Sequence, residues 1–507
     1  MLKFMKYFNS ILLLLLLTAC APKTGTEMRN ENLAKDLAFT KQAEMTLSGQ
    51  QTNATASEAG EAIMGRAISL RDAIDYALKH NLDAAVSEHQ VAVQREVLTG
   101  SYWRMLPSLM GNAEFSTQDW YTPSSSKSFE SGQESLEPSI SHDLETSTQS
   151  VELSWNLLNL AVDFQRKYQS EAQLGMSKQQ LKRVKQNLIV SVIQAYMRCA
   201  IAKDAKGKAE SIIARALKRQ EIIIKQKNDG SQKKKDALNG QISIIKLRDS
   251  IRRYEYDYRQ AKKELAQLLG LAPSAEFTIE GINLADVPSE MAMNLPAWEK
   301  EALASRPEMF EMDLKEDEAV READIALTQM FPALTPFARY SRDDNSYMSR
   351  HQWCNVGLRV SWDLLTIPRL SSEQQTGMKR AAVVRKQRQA QALAVLVQLN
   401  LATIEYRDAY ESLGIATELE QSQKELQDVI DRGVKSRAES ESLLLQTNQQ
   451  YLEARVKRLR AYSDLIIAKA KIYNSMGRDF DQQDLTATSG ISTKHAEVTD
   501  EMSYALK

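Results

Sequence analysis

The feature that most constrains this chain is an internal repeat. Ser154-Trp155-Asn156-Leu157-Leu158 returns as Ser361-Trp362-Asp363-Leu364-Leu365, 207 positions later, and Leu268-Leu269-Gly270 returns loosely as Ser475-Met476-Gly477 at the same spacing. Upstream the spacing is 225: Leu106-Pro107 corresponds to Phe331-Pro332, and His80-Asn81-Leu82 to Ser305-Arg306-Pro307. The change of spacing puts about 18 extra residues between Pro107 and Trp155, in a Ser-, Gly- and Glu-rich stretch, roughly Thr122 to Thr148, that reads as a surface loop.

Each unit has the same internal order. A helix comes first, Leu70 to Met105 and Glu299 to Met330, and Ser69 followed by Asp72 offers a capping-box start. A strand, a loop and a second strand follow, then two long helical arms separated by a short break. The breaks are Asn228-Asp229-Gly230-Ser231 and Asp431-Arg432-Gly433, and Gly230 and Gly433 are read as the arm turns because glycine suits the left-handed conformation that ends a helix. The arm from Phe164 to Lys227 would reach about 96 Å at 1.5 Å per residue, too long to bury itself in a compact globule. Its apolar residues recur at threes and fours (Leu174, Leu181, Val184, Leu188, Val192, Ala195) among Lys, Gln, Arg and Glu, which is coiled-coil-like packing with a solvated face.

The strands alternate. Leu109, Gly111, Ala113 and Phe115 oppose Met110, Asn112, Glu114 and Ser116; Val151, Leu153, Trp155 and Leu157 oppose Glu152, Ser154 and Asn156. Val356, Leu358, Val360, Trp362 and Leu364 oppose Asn355, Gly357, Arg359, Ser361 and Asp363, while in Leu334 to Tyr340 the pair Pro336-Phe337 breaks the rule. One apolar and one polar face fits a transmembrane β-barrel strand, and a half-buried soluble strand gives the same pattern. Four such strands cannot close a barrel, since about eight is the small limit; a symmetric oligomer would have to complete one.

Met1 to Cys20 is the only long apolar run, with Lys3 and Lys6 before seven consecutive aliphatic residues, Ile11 to Leu17. It is too short to span a bilayer and reads as a secretory signal. Leu17-Thr18-Ala19-Cys20 resembles the bacterial lipobox, in which cleavage precedes the cysteine and the cysteine is acylated. Cys20 is therefore expected to carry a lipid anchor, and by the same resemblance Ala21 favours delivery to the outer membrane. Of the two cysteines left in the mature chain, Cys199 falls in a helical pattern and Cys354 beside a strand; a disulfide or two packed free thiols are both open. With Lys plus Arg at 65 against Asp plus Glu at 66, the basic excess of a nucleic-acid binder is missing.

At this point the chain resembles the TolC-like outer-membrane efflux family. The resemblance covers roughly Ile68 to Gly477 and rests on an ordered set of features. They are the opening helix Ser69-Leu70-Arg71-Asp72-Ala73-Ile74-Asp75-Tyr76-Ala77-Leu78, the Leu106-Pro107-Ser108-Leu109 step into a strand, the Ser-Trp-x-Leu-Leu step out of one, and the Leu-Leu-Gly ending. It implies a mainly α fold with a small β part and two structural repeats. A long α-helical coiled-coil barrel would continue four strands per chain, which contribute to a trimeric twelve-stranded transmembrane β-barrel. It also implies a homotrimer in the outer membrane, a periplasmic adaptor and an inner-membrane pump as partners, and a passive duct for efflux or type I secretion with no cofactor and no catalytic group. The family closes its periplasmic end at the arm turns, which makes Asp236, Lys435 and Glu439 the candidate gate residues. Three-fold symmetry would turn each into a ring of like charge. The family's second acid is replaced here by Ser442 with Glu441 adjacent, and the first turn is basic, Lys233-Lys234-Lys235, so solvated helix ends remain the alternative for this cluster.

The expected organisation is a signal peptide (1–19), a lipid-anchored polar tether (20–66), repeat 1 (67–270), a linker with Pro273, Pro288 and Pro296 (271–297), repeat 2 (298–480) and a polar tail (481–507). No enzymatic residue set competes with this. The five histidines have no metal-ligand spacing, no phosphate-binding glycine loop or serine nucleophile elbow occurs, and the methionines are scattered. The competing reading is a periplasm-spanning coiled-coil scaffold or binding lipoprotein without a pore.

Overall fold

The computed structural model describes residues 67–478 except 136, 227–230, 283–289 and 437, together with the isolated residues 33, 35 and 38. The expected signal peptide, Cys20, nearly all of the tether, Gly230 and the tail from 481 lie outside the described residues. The chain runs β1 (Ala67–Ile68), α1 (Leu70–His80), α2 (Leu82–Arg104), β2 (Ser108–Thr117), β3 (Glu145–Ser154), α3 (Leu157–Gln226), α4 (Ser231–Leu268), β4 (Thr278–Ile279), α5 (Leu295–Ser305), α6 (Pro307–Thr328), β5 (Ala333–Asp343), β6 (Gln352–Ser361), a 3₁₀ turn (Leu364–Thr366), α7 (Ile367–Lys435) and α8 (Glu441–Met476). It is mostly helical with a minor β part.

The opening helix of each unit is not continuous, contrary to the sequence reading. The Ser69 capping box forms, with Asp72 N–H donating to Ser69 Oγ at 3.1 Å, but α1 stops at Asn81. There the Asn81 side chain caps a new helix, accepting from Asp83 N and Ala84 N at 3.0 and 3.1 Å. The second unit breaks at the equivalent Arg306 by a different device. Pro307 has no N–H to offer and holds the residue before it in extended geometry, φ −70° and ψ 131° at Arg306.

The left-handed glycines fit against these breaks. Gly270 (φ 70°) and Gly477 (φ 72°) end α4 and α8 in the same pattern. Gly270 N–H donates to Gln267 O and Leu271 N–H to Ala266 O; Gly477 N–H donates to Asn474 O and Arg478 N–H to Tyr473 O. This is the Schellman closure. A side chain on Gly270 would run into the His80 carbonyl, and one on Gly477 would lie 2.8 Å from Ser305 O and 2.9 Å from Arg306 Cα. Asn81 Nδ2 completes the first junction by donating to Leu268 O at 2.9 Å.

The arms are unequal: α3 and α7 have 70 and 69 residues, α4 and α8 only 38 and 36. At 1.5 Å per residue the long ones are each about 100 Å. Along one part of its length α3 packs against α2, along the other against α4; α7 packs likewise against α6 and α8. The helical wall thus stays two helices per unit along its whole length. The core lies where α1 packs on α3 with the end of α4 (Ala73, Ala77, Ile193, Leu265, Leu269) and α5 on α7 and α8 (Trp298, Ala302, Leu399, Leu465, Ile472). Each fully buried leucine or isoleucine there contributes about 1.5–3 kcal/mol, which single-helix propensity does not match.

Between the arms, β1 pairs in parallel with β4. Tyr196 on α3 donates its hydroxyl to Ile68 O at 3.0 Å, and Lys203 Nζ donates to Ile279 O at 2.6 Å, tying this small sheet to the wall. In the second unit Tyr406 accepts from Met291 N at 3.1 Å. The cysteines are free: Cys199 is buried, and Cys354 is exposed on β6 rather than packed.

Candidate functional site

At one end of the arms stands a four-stranded antiparallel sheet in the order β2-β3-β5-β6, which leaves β2 and β6 as unpaired edges. The register places Leu109 opposite Leu153, Leu153 opposite Ala338, and Ala338 opposite Val356. Pro336 faces Leu358, and Leu334 faces Val360. One face is therefore apolar across all four strands and largely exposed (Leu109, Phe115, Val356, Leu358 and Val360 among others). The other carries Asn112, Glu114, Glu152, Arg339 and Arg359. Glu152 and Arg339 are paired residues and form an ion pair, with Arg339 Nε donating to Glu152 Oε2 at 2.6 Å.

Two residues that broke the alternation in sequence find their place here. Pro336 belongs to the apolar face. Phe337 lies on the polar face, where Gly357 leaves room for it (a side chain on Gly357 would lie 2.9 Å from Phe337 Cζ), and the Arg359 guanidinium covers its ring at 5.1 Å.

The repeated tryptophans do not belong to the strands, as the alternation suggested. β3 ends at Ser154 and β6 at Ser361. Trp155 Nε1 donates to Met105 O at 3.1 Å and Trp362 Nε1 to Met330 O at 3.0 Å. In each unit this bond ties the exit from the second strand to the end of the helix preceding the first strand. It thereby fixes the sheet on the helical wall. The repeat of Ser-Trp-x-Leu-Leu was visible in sequence; its function as a clamp was not, because the acceptor is a backbone carbonyl with no signature.

At the arm turn the structure corrects the assignment of Gly433. It is not left-handed and does not end α7, which runs on to Lys435. The Glu439 side chain lies against it: a Cβ on Gly433 would stand 2.6 Å from Glu439 Cγ, so a larger residue would push that exposed side chain aside. The Gly433 carbonyl closes the turn, accepting from Ala438 N at 2.9 Å, Glu439 N at 3.2 Å and Ser436 Oγ at 3.0 Å. Ser440 then caps α8 by accepting from Leu443 N at 3.2 Å. Glu439 is exposed on this turn, while Lys435 pairs with Asp431 one helical turn back at 2.6 Å. Asp236 lies in the first turns of α4.

One charged cluster gave no sequence signal. Arg455 on α8 grips Asp204 of α3 with Nε and Nη2 at 2.8 and 3.1 Å and reaches Glu420 of α7 with Nη1 at 3.3 Å. Arg458 holds the other oxygen of Glu420 at 2.8 Å. Glu420 is buried, and the Asp204 carboxylate strengthens the proton affinity of Arg455. The partners come from three helices up to 251 positions apart, which no local pattern reveals. This network cross-links the two units within the wall.

Among the described residues no group of three or more His, Cys, Asp or Glu could hold a metal ion, and no helix is long and apolar enough to cross a membrane.

With this geometry in hand, likenesses to known proteins carry weight. The family described as outer membrane efflux protein matches residues 73–271 and 298–478. No curated protein matches the chain. Solved structures share the fold. The MtrE outer membrane channel of Neisseria gonorrhoeae in its open state is 14% identical, with 85% of this chain and 94% of that chain covered and a TM-score of 0.65. The CmeC outer membrane channel of Campylobacter jejuni is 14% identical over 82% and 86%, TM-score 0.65. The outer membrane protein VceC of Vibrio cholerae is 13% identical over 81% and 97%, TM-score 0.65.

Proposed function

The chain belongs to the outer membrane efflux protein family, and from that premise we propose that three copies of it close into a single passive duct across the outer membrane and periplasm. As a family member it is a non-catalytic, outer-membrane channel component of a tripartite efflux or secretion system. What the family membership leaves to this chain is how it closes, where it is anchored and how it is gated.

The observation that carries the closure is an empty helix site. Within the chain α6 packs on both α7 and α3. At the second contact Leu314 sits over Gly175, with Leu314 Cδ1 2.8 Å from where a Cβ would stand. Shifted by 207, that stretch of α3 becomes a shallow groove on α7 lined by Lys379, Ala382, Val383, Lys386, Gln387 and Ala390, and none of the described residues fills it. The helix equivalent to α6 is α2. It packs on α3, and on its opposite face Val86, Val93 and Val97 are exposed. The α2 helix of a second copy fits the groove on α7 of the first, as α6 fits α3. Repetition of this head-to-tail contact generates a ring when the rotation closes. Three chains bring twelve strands, and closure removes the exposed edges of β2 and β6. A non-pore scaffold would leave both edges and the apolar sheet face in water.

In this reading the apolar face meets lipid and the face bearing Glu152 and Arg339 lines the conduit. Cys20 carries the lipid anchor. A periplasmic adaptor and an inner-membrane pump engage the opposite end and supply the energy. Glu439 and Lys435 at one arm turn and Asp236 in the first turns of α4 form the gate, since each becomes a ring of three like charges. The test is electrical. Purified protein in a planar bilayer is expected to give discrete ion-conducting events, and Glu439→Gln or Asp236→Asn to change their size or cation preference. Protein inserted without conductance in wild type and both variants would overturn the duct, and unchanged selectivity in both variants would remove these acids from the gate. Cys20→Ser is expected to abolish palmitate incorporation; persistent labelling would place the lipid elsewhere.

A further inference from the structure

The two hairpins obey one register. In the first, Ser108 faces Ser154 and Thr117 faces Glu145; in the second, Ala333 faces Ser361 and Arg342 faces Gln352. Adding 225 to each residue of β2 and 207 to each residue of β3 converts every pair of the first hairpin into a pair of the second. The sequence spacings are therefore also the structural ones.

The contact that joins the units, β3 with β5, places the second strand of one unit against the first strand of the next. The same relation at the open edges sets β6 of one copy against β2 of another. Transferring the register gives the seam residue by residue. Glu152 faces Arg339 within the chain, so Arg359 faces Glu114 of the neighbouring copy. Leu153 with Ala338 becomes Val360 with Ala113, and Val151 with Tyr340 becomes Leu358 with Phe115. Apolar pairs map to apolar pairs, and the ion pair maps to an ion pair with its polarity reversed.

We propose that β6 and β2 of neighbouring copies pair with Arg359 opposite Glu114, and that these two side chains form the ion pair that sets the register of the subunit seam. The proposal rests on the closed homotrimer described above and adds its alignment. Both residues are exposed on the polar face, and among the described residues neither takes part in an ion pair within the chain. The alternatives are distinguishable: a slip of one residue turns Arg359 to the apolar face, and a slip of two sets it against Asn112 or Ser116 and leaves Glu114 facing Gly357 or Ser361. In the trimer the three seam pairs and the three Glu152–Arg339 pairs stand at one level of the conduit. Acid and base balance, so this level carries no net ring of charge.

The experiment uses the full-length protein in outer-membrane vesicles, with Cys354→Ser to remove the exposed thiol. Asn112→Cys with Ser361→Cys puts two cysteines directly opposite in the proposed register, close enough for a disulfide. Met110→Cys with Ser361→Cys does so only if the register slips by two. Oxidation is expected to link the first pair into covalent dimers and trimers on non-reducing gels and to leave the second as monomers. Cross-linking of the second pair instead overturns the register. Absence of cross-links from both, in protein that light scattering shows to be trimeric, overturns the register and leaves the trimer standing; absence of a trimer overturns the underlying reading. Independently, Glu114→Arg and Arg359→Glu are each expected to lose the detergent-resistant trimer, and the double exchange to recover it. A double variant no better than either single one would overturn the ion pair.

Discussion

Gly270 and Gly477 each combine a left-handed backbone with a carbonyl of the opening helix pair pressed against them. Gly477→Ala is therefore expected to cost about 1–2 kcal/mol from conformation alone, and more from the contact with Ser305 O. It should lower the thermal unfolding midpoint clearly, whereas Gly207→Ala, with open space around it, should not. Burial pushes the Cys199 thiol up to about 11. It is neutral and enclosed at neutral pH, so a maleimide should leave Cys199 unmodified until the protein is denatured; rapid labelling of the native protein would contradict this. At this scale the sequence was partly legible. The Leu-Leu-Gly ending marked the close of each repeat, although the left-handed helix end was expected at Gly230 and Gly433 and not at Gly270 or Gly477. At Gly433 the backbone is not left-handed, and what lies against it is the Glu439 side chain. Such a contact depends on how the chain returns, which sequence spacing does not contain. The breaks at Asn81 and Arg306 did carry sequence signals, an N-capping asparagine and Pro307, which the reading of one continuous helix passed over.

At the level of elements, alternation located all four strands but carried two of them too far, since Trp155 and Trp362 continue the apolar rhythm while serving as clamps. Loss of one such indole bond costs about 1 kcal/mol. Trp155→Phe with Trp362→Phe should loosen the sheet from the wall and shift unfolding more than either alone. The Asp204–Arg455–Glu420–Arg458 network binds α3, α7 and α8. Arg455→Ala leaves the buried Glu420 with one partner and Asp204 with none, and is expected to destabilise the wall by about 3 kcal/mol, read as a lower unfolding midpoint. Replacing Arg455 with methionine preserves packing but not charge and should recover little of it. An effect no larger than that of an exposed surface pair would show that the network is dispensable.

On the scale of the whole molecule, the decisive fact is that the second unit finds on the first what the first does not find among the described residues. α6 has α3, but α2 has no equivalent; β5 has β3, but β2 has an open edge. The sequence repeat made the need for further copies legible, since four strands are too few. What it could not give was the surface proposed to receive them, because the groove on α7 is assembled by a helix face and is recognised only beside its filled counterpart on α3. The number of chains in the detergent-extracted assembly, measured by native mass spectrometry, tests this closure most directly. The account predicts a single species of three chains. A monomer, or a continuous ladder of sizes without a closed end, would contradict it.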